Sequence, residues 1–357
     1  MNPKRSLWLH KDSRSVVVLD QTRLPHRVET VTLRSLDDAA RAISDMIIRG
    51  APLIGVTAAY GMALAMAEDP SDKSLARAYE VLYATRPTAV NLRWALDLMR
   101  EHLRGLPVAG RRDAAFLKAN EVAEQDVATN LGIGRHGLPL LQAIAMRRKG
   151  QPVRIMTHCN AGRLAAVAWG TATAPIYLAH DHGVPVHVWV SETRPRNQGA
   201  SLTAWELADH GVPHTVVADN AAGHLLQRGL VDVVIVGADR VTRRGDVANK
   251  IGTYLKALAA MAHRVPFHVA FPCSTIDWTL EDGVASIPIE ERSAAEVTHL
   301  SGTDARGRVV KVRVTPETSP ARNDAFDVTP ARLVTGFITD RGLCTATVRG
   351  LRTTCRG

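Results

Sequence analysis

The sequence predicts an α/β chain: a Rossmann-like doubly wound parallel sheet in the C-terminal part, preceded by a mainly helical N-terminal part with a short β hairpin. Three observations predict it. From Val153 onward, apolar runs of strand length alternate with helical segments, the rhythm of a parallel sheet with crossover helices. Before that point most apolar residues recur at helical spacing. The 357 residues also exceed what one hydrophobic core usually covers, so two units are expected, 1–147 and 151–357.

Taken in order, the segments around Val16-Val17-Val18-Leu19 and from Val28 to Leu33 alternate apolar and polar positions, as short strands do. Ser35 followed by Asp38 resembles a capping box, and Ala39, Ile43, Met46 and Ile47 then recur on one helical face that should end near Arg49-Gly50. Pro52 suits the first turn of a new helix reaching about Met66. That tract approaches membrane-spanning length, but its Gly and Ala content with Pro52, Thr57 and Tyr60 predicts a packed buried helix. A helix start beside Arg49 is also an anion site, because unsatisfied N–H groups and a guanidinium converge there. Helices are expected from Leu75 to Tyr83 and from Val90 to Leu103, flanking Thr85-Arg86-Pro87-Thr88, and from Asp113 to Thr129, with a basic linker at Met146 to Gly150. Gly132-Ile-Gly134-Arg-His-Gly137 matches a dinucleotide fingerprint formally, but it continues a helical pattern and lacks a preceding strand, so it is rejected.

The expected strands of the second part are Val153 to Thr157, Val186 to Val190, His214 to Val217, Val231 to Val236 and Phe267 to Ala270. Leu164 to Ala172, Leu202 to His210, Ala221 to Gln227 and Thr253 to His263 read as helices between them. Open parallel sheets bind ligands at the carboxyl ends of their strands. That rule collects Cys159, the segment Glu192 to Gly199 with Gln198, and Asp239 into one crevice. A cysteine just before a helix feels its positive end, which favours thiolate, and a carboxylate ending so apolar a strand is desolvated toward its protonated, general-acid form. The alternatives are a packing cysteine at 159 and a helix cap or Arg240 partner at 239. Asn249 and Lys250 precede another helix and have anion-binding chemistry.

Several classes are excluded by composition. Four widely spaced cysteines without a Cys-x-x-Cys pair predict free thiols in a reducing compartment and no disulfide scaffold or zinc site. His180-Asp181-His182 has no third ligand at a recognisable spacing and Glu290-Glu291-Arg292 reads as an ion-pair segment, so no metal is expected. The formal charge of +9 is spread among acidic neighbours and accompanied by only five Phe and five Tyr, a poor platform for nucleic acid; an anionic small molecule suits it equally. Arg5, Lys11 and Arg14 interrupt any signal-peptide core, and a cytoplasmic protein is expected.

Arg49-Gly-Ala-Pro52, Thr157-His-Cys-Asn-Ala-Gly162, Glu192-Thr-Arg-Pro-Arg196 with Gln198-Gly199, Gly237-Ala-Asp-Arg240, Gly245-Asp-Val-Ala-Asn-Lys-Ile-Gly252 and Asp327-Val-Thr-Pro330 together resemble the methylthioribose-1-phosphate isomerase family. The likeness runs from about Trp8 to Gly342, with small departures at Leu53 and Asn197. It implies an aldose-to-ketose isomerase of methionine salvage acting on 5-methylthioribose 1-phosphate, without a cofactor and as a homodimer, with no nucleic-acid or membrane partner. By position it assigns Cys159 and Asp239 to catalysis and Arg49, Gly50, Ala51, Arg86, Gln198, Asn249 and Lys250 to substrate contact. Two readings compete with it: an isomerase of ribose 1,5-bisphosphate and, from another class, a non-catalytic regulatory protein like the related subunits of the eukaryotic translation-initiation exchange factor. A dehydrogenase is weaker, since no glycine fingerprint follows a strand in the second part.

Overall fold

In the computed structural model, which describes residues 4–86 and 90–356, the chain opens with a three-stranded antiparallel sheet: β1 (Leu7–Leu9), β2 (Val16–Leu19) and β3 (Thr30–Leu33). Pro87 and Thr88 of the expected interhelical turn lie outside the described residues. Helix α1 (Leu36–Ser44) begins at the capping pattern: the Ser35 side chain accepts the Asp38 N–H, and Asp37 and Asp38 lie at the positive end. Helix α2 (Ala51–Glu68) is apolar on every side and packs among α1, α3 (Asp72–Thr85), α4 (Val90–Arg104) and α5 (Arg111–Arg148). Such a helix needs a fully buried position, and every residue from Leu53 to Met66 has one.

Helix α5 corrects two expectations. It spans 38 residues instead of stopping near Thr129, and it runs through the expected linker as far as Arg148. The Gly132 to Gly137 string lies inside it, where a Cβ added at Gly137 would sit 2.7 Å from Pro175 of α6 (Ala174–Asp181). These glycines serve helix packing.

The remaining strands are β4 (Val153–His158), β5 (Val186–Ser191), β6 (His214–Val217), β7 (Val233–Val236), β8 (Arg240–Thr242), β9 (Val247–Lys250), β10 (Phe267–Ala270), β11 (Ile276–Asp277), the hairpin β12 (His299–Thr303) with β13 (Val309–Arg313), β14 (Phe326–Thr329), β15 (Gly336–Thr339) and β16 (Gly342–Cys344). Seven of them form one sheet in the order β16-β15-β10-β7-β4-β5-β6, parallel except for the β15–β16 pair. This is a doubly wound order that reverses direction between β4 and β7, the switch point where such sheets leave a crevice. Cys159 and Asp239 follow those two strands. A smaller sheet, β11-β8-β9-β14, carries Asn249 and Lys250 alongside. Helices α7 (Ala204–His210), α8 (Ala221–Gln227) and α9 (Thr253–Ala262) cover the large sheet together with α6 and a C-terminal helix, Val348–Cys355.

Two more expectations fail. Leu164 to Ala172 is not a helix: only a single turn forms at Arg163–Ala165. The run has helix-forming residues, but its backbone groups bond elsewhere. The Val167 carbonyl accepts the Ser6 N–H, the Val167 N–H goes to Asp126, and the Ala161 carbonyl takes the N–H groups of Thr171 and Ala172. Nor are all four cysteines free. Cys273 and Cys355 form a disulfide across 82 positions of sequence, while Cys159 and Cys344 remain thiols. Spacing could not foretell this pair, because the C-terminal helix folds back onto the loop after β10; closing a loop of that length contributes on the order of 4 kcal/mol.

Candidate active site

At the end of β4 the backbone turns sharply at Cys159, which has φ 63, a left-handed conformation that a cysteine rarely adopts. The turn is fixed from both sides, since the Cys159 N–H donates to Thr193 Oγ1 at 2.8 Å and its carbonyl accepts from Thr203 Oγ1 at 2.7 Å. Beyond β5, the amides of Thr193 and Arg194 donate to Asp219, and the chain passes Asn197 (φ 59) into a π-helical turn at Gly199–Thr203. Gln198, at its start, is 6% exposed and lines the crevice, its buried Oε1 without a hydrogen-bond partner among the described residues. At the end of β7, the Asp239 N–H donates to the Ala248 carbonyl at 2.9 Å, which ties it to β9 and its Lys250. Arg240 is ion-paired with Asp277 at 3.7 Å.

The helical part supplies the facing wall. Gly50 caps α2 with φ 91, and a Cβ there would lie 2.4 Å from the Ala165 backbone, so both conformation and space demand glycine. Arg49 donates from Nη1 to Asn160 Oδ1 at 2.6 Å and from Nη2 to the Asn160 carbonyl at 3.0 Å. One crevice is thus lined by Arg49, Gly50, Ala51, Arg86, Cys159, Gln198, Asp239 and Lys250. Asn249 lines the adjoining recess, which shares Arg49, Gly50, Ala51, Cys159 and Asp239 with it. Every residue singled out from the sequence is therefore in or beside one cleft.

Burial dominates the electrostatics. It raises the Cys159 thiol and the Asp239 carboxyl above their usual ranges, against the pull of Lys250 and Arg49, and it lowers the Lys250 ammonium. The thiolate expected from a helix end is thereby corrected: no α-helix begins after Cys159, and desolvation favours the neutral thiol. His158 is fully buried and pushed down to about 3 by desolvation and the nearby Lys256 ammonium. Its Nε2 lies 2.8 Å from the Ile251 carbonyl and, in the neutral ring, donates to it. Asp327 accepts the N–H groups of Gly252 and Tyr254, fixing the turn behind Lys250.

Several lining residues were not singled out in the sequence. Ile287, Pro288 and Ile289 form an apolar wall with Ile54, Val90 and Phe326. Glu290 pairs with Arg86 at 3.3 Å and with Arg292 at 3.0 Å, and Glu296 pairs with Arg292 at 2.8 Å and with Arg196 at 3.1 Å. Arg196 and Phe326 had a signal, since one ends and the other adjoins a family-like string; the 287–289 segment had none. Pro272 and Thr275, after β10, also line the recess.

The Initiation factor 2 subunit family matches residues 47–346. A methylthioribose-1-phosphate isomerase of Rhizobium meliloti (strain 1021) is 61% identical over 348 residues, 97% of this chain and 96% of the relative. Among solved structures, 5-methylthioribose 1-phosphate isomerase from Pyrococcus horikoshii OT3 superposes with a TM-score of 0.86 at 37% identity, covering 100% of this chain and 98% of that one. The translation initiation factor eIF-2B subunit delta from A. fulgidus gives 0.82 at 35% identity, with 99% of each chain covered.

Proposed function

The chain belongs to the Initiation factor 2 subunit family and, within it, to the methylthioribose-1-phosphate isomerase family, and on that premise we propose how its crevice isomerises 5-methylthioribose 1-phosphate to 5-methylthioribulose 1-phosphate. The observation that carries the reading is the convergence of Cys159 and Asp239, from the two switch-point strands, on a wall that offers Arg49, the Gly50 and Ala51 N–H groups and Lys250. Phosphate on the anomeric oxygen locks the sugar ring and withholds the free aldehyde on which ordinary sugar isomerases rely. The enzyme must open the ring itself.

Asp239, shifted toward its protonated form, gives a proton to the ring oxygen as the C1–O bond breaks. A hydrogen then passes from C2 to C1. Burial that keeps Cys159 a thiol favours transfer as hydride within a dry pocket: the C2–H electron pair moves to the electron-poor C1, and the C2 hydroxyl returns its proton to the Asp239 carboxylate. Donor and acceptor carbons belong to one molecule, so the step needs no redox cofactor. Arg49, the α2 amides and Lys250 anchor the phosphate, with Gln198 and Asn249 on the hydroxyls and Arg86 toward the far end. The methylthio group lies against Ile287, Pro288, Ile289 and Phe326. A second phosphate, as in ribose 1,5-bisphosphate, would meet three arginines already ion-paired with Glu290 and Glu296, which offset two of their three charges. A cytoplasmic location, a homodimer and a division into 1–147 and 151–357, whose two cores share helix α5, complete the proposal.

The test is turnover of 5-methylthioribose 1-phosphate. Asp239→Asn is expected to lower kcat by about 10³-fold, within the usual range for general acid–base groups, and unchanged turnover overturns its role. Deuterium placed at C2 is expected to be retained at C1; wash-out into solvent replaces the hydride course with proton abstraction.

A further inference from the structure

Behind Arg49 lies a buried carboxylate that none of the steps above uses. Glu206 on α7 is 0% exposed. Its Oε1 accepts from Asn160 Nδ2 at 2.8 Å and its Oε2 from the Leu164 N–H at 3.2 Å. The second Nδ2 hydrogen of Asn160 goes to Thr203 Oγ1 at 3.1 Å, whose own hydrogen is committed to the Cys159 carbonyl. Both amide hydrogens are therefore taken on one side, and Oδ1 is left to face Arg49 Nη1.

We propose that Glu206 is a positioning residue: it fixes which way the Asn160 amide points, and through it holds the Arg49 guanidinium where the substrate phosphate is bound. The physical reason is the difference between the two ends of an amide. One end only donates and the other only accepts, and a side chain turned by half a revolution presents the wrong end to the guanidinium. Burial raises the Glu206 carboxyl to about 7, yet each of its oxygens faces an N–H donor, so both must accept; that selects one orientation of the amide, and the Leu164 N–H requires an acceptor at the same spot. The fit is close enough to constrain the chain elsewhere. A Cβ added at Gly162 would lie 1.4 Å from Glu206 Oε1. Gly162 itself has φ −99, which any residue adopts, so the space taken by Glu206 and not backbone conformation is what demands glycine there. Two residues of the Cys159-Asn160-Ala161-Gly162 string are thereby explained by a side chain more than forty positions away.

The inference rests on Arg49 being the phosphate anchor, so its test reads phosphate affinity as well as turnover. In Glu206→Gln, either the new amide N–H confronts the Leu164 N–H or the Asn160 amide reverses and points a donor at Arg49. KM for the sugar phosphate and the calorimetric dissociation constant for inorganic phosphate are both expected to rise about tenfold, with kcat within about threefold. Arg49→Lys combined with Glu206→Gln is expected to weaken binding by less than the product of the two single effects, because both act on one contact. A folded Glu206→Gln enzyme with unchanged KM and phosphate affinity overturns the inference, as does a double variant whose effects multiply. If Glu206→Gln does not fold, Thr203→Val removes the other acceptor from the same amide: weakened phosphate binding supports the inference and unchanged binding overturns it. A wild-type protein that binds phosphate through Arg49 yet does not turn over the sugar phosphate refutes the proposed activity and leaves this coupling standing.

Discussion

Where the crevice opens into its recess, Arg49 is held by a neutral amide and Lys250 lies 4.3 Å above the Phe326 ring. Where it is walled by residues 287–292, Arg86, Arg196 and Arg292 each face Glu290 or Glu296. Positive charge is present in both places: Arg49 and Lys250 bring two charges against neutral partners, whereas the three guanidiniums at the wall are offset by two carboxylates and keep an excess of one. An arginine with a neutral partner keeps its charge available, whereas an arginine bound to a carboxylate supplies shape and hydrogen-bond geometry with little net field. Counting cations around the crevice would suggest two equal anion sites; counting their partners favours the one at Arg49 and Lys250, opposite an apolar wall.

Three experiments press on this contrast. The largest effect is expected at the charged part: Arg49→Ala should raise KM by about 100-fold, the usual scale for losing one member of a buried charge-assisted contact, while a KM within threefold of wild type places the phosphate elsewhere. An intermediate effect is expected at the ion-paired part. Glu290→Gln leaves Arg86 and Arg292 short of one negative charge, so the ratio of kcat/KM for ribose 1,5-bisphosphate over 5-methylthioribose 1-phosphate should rise about tenfold; a fall in that ratio contradicts the ion-paired wall. The smallest is a pH effect. Asp239 is raised and Lys250 lowered, both by burial, so both losses fall on the alkaline side: the carboxyl gives up the proton that the proposed mechanism has it donate, and the ammonium gives up its charge. Activity should therefore be complete below these shifted values and decline severalfold as pH rises through them. Lys250→Arg, whose guanidinium stays charged, should flatten the KM profile while kcat still declines; a kcat that climbs with pH removes Asp239 as the acid.

Much of the architecture was legible because buried parallel strands are continuous apolar runs. His214–Val217 and Phe267–Ala270 fall on the expected residues, and Val153–His158 exceeds the expectation by one. The strand-end rule then collected Cys159, Gln198 and Asp239 without any knowledge of packing, since topology alone decides where a doubly wound sheet leaves an opening. The features that escaped share one physical property: their partners are distant in sequence. Leu164 to Ala172 has helical composition but spends its hydrogen bonds on Ser6, Asp126 of α5 and its own turn. Ile287 to Ile289 gains meaning only when it folds across the crevice, and Cys273 only when the C-terminal helix returns to it, whereas the expected ion pairing at Glu290 and Arg292 forms. Glu206 falls within the expected Leu202 to His210 helix, but its partners, Asn160 and the Leu164 N–H, lie more than forty positions away.

The long helix α5 carries a last consequence. At 1.5 Å per residue its 38 residues extend about 57 Å. Its first half contributes Ala115, Phe116, Ala119, Val122 and Ala123 to the core around α2, and its second half gives Ile133, Leu141 and Ile144 to the core around the large sheet. The place read from sequence as a linker is thus the end of a beam common to both cores. A pocket walled by two separately tethered bodies would have a width set by the slack of their tether. Here α5 packs on both the α2 wall and the large sheet, so the distance from the proposed phosphate anchor to the proposed acid is set through one helix common to both cores.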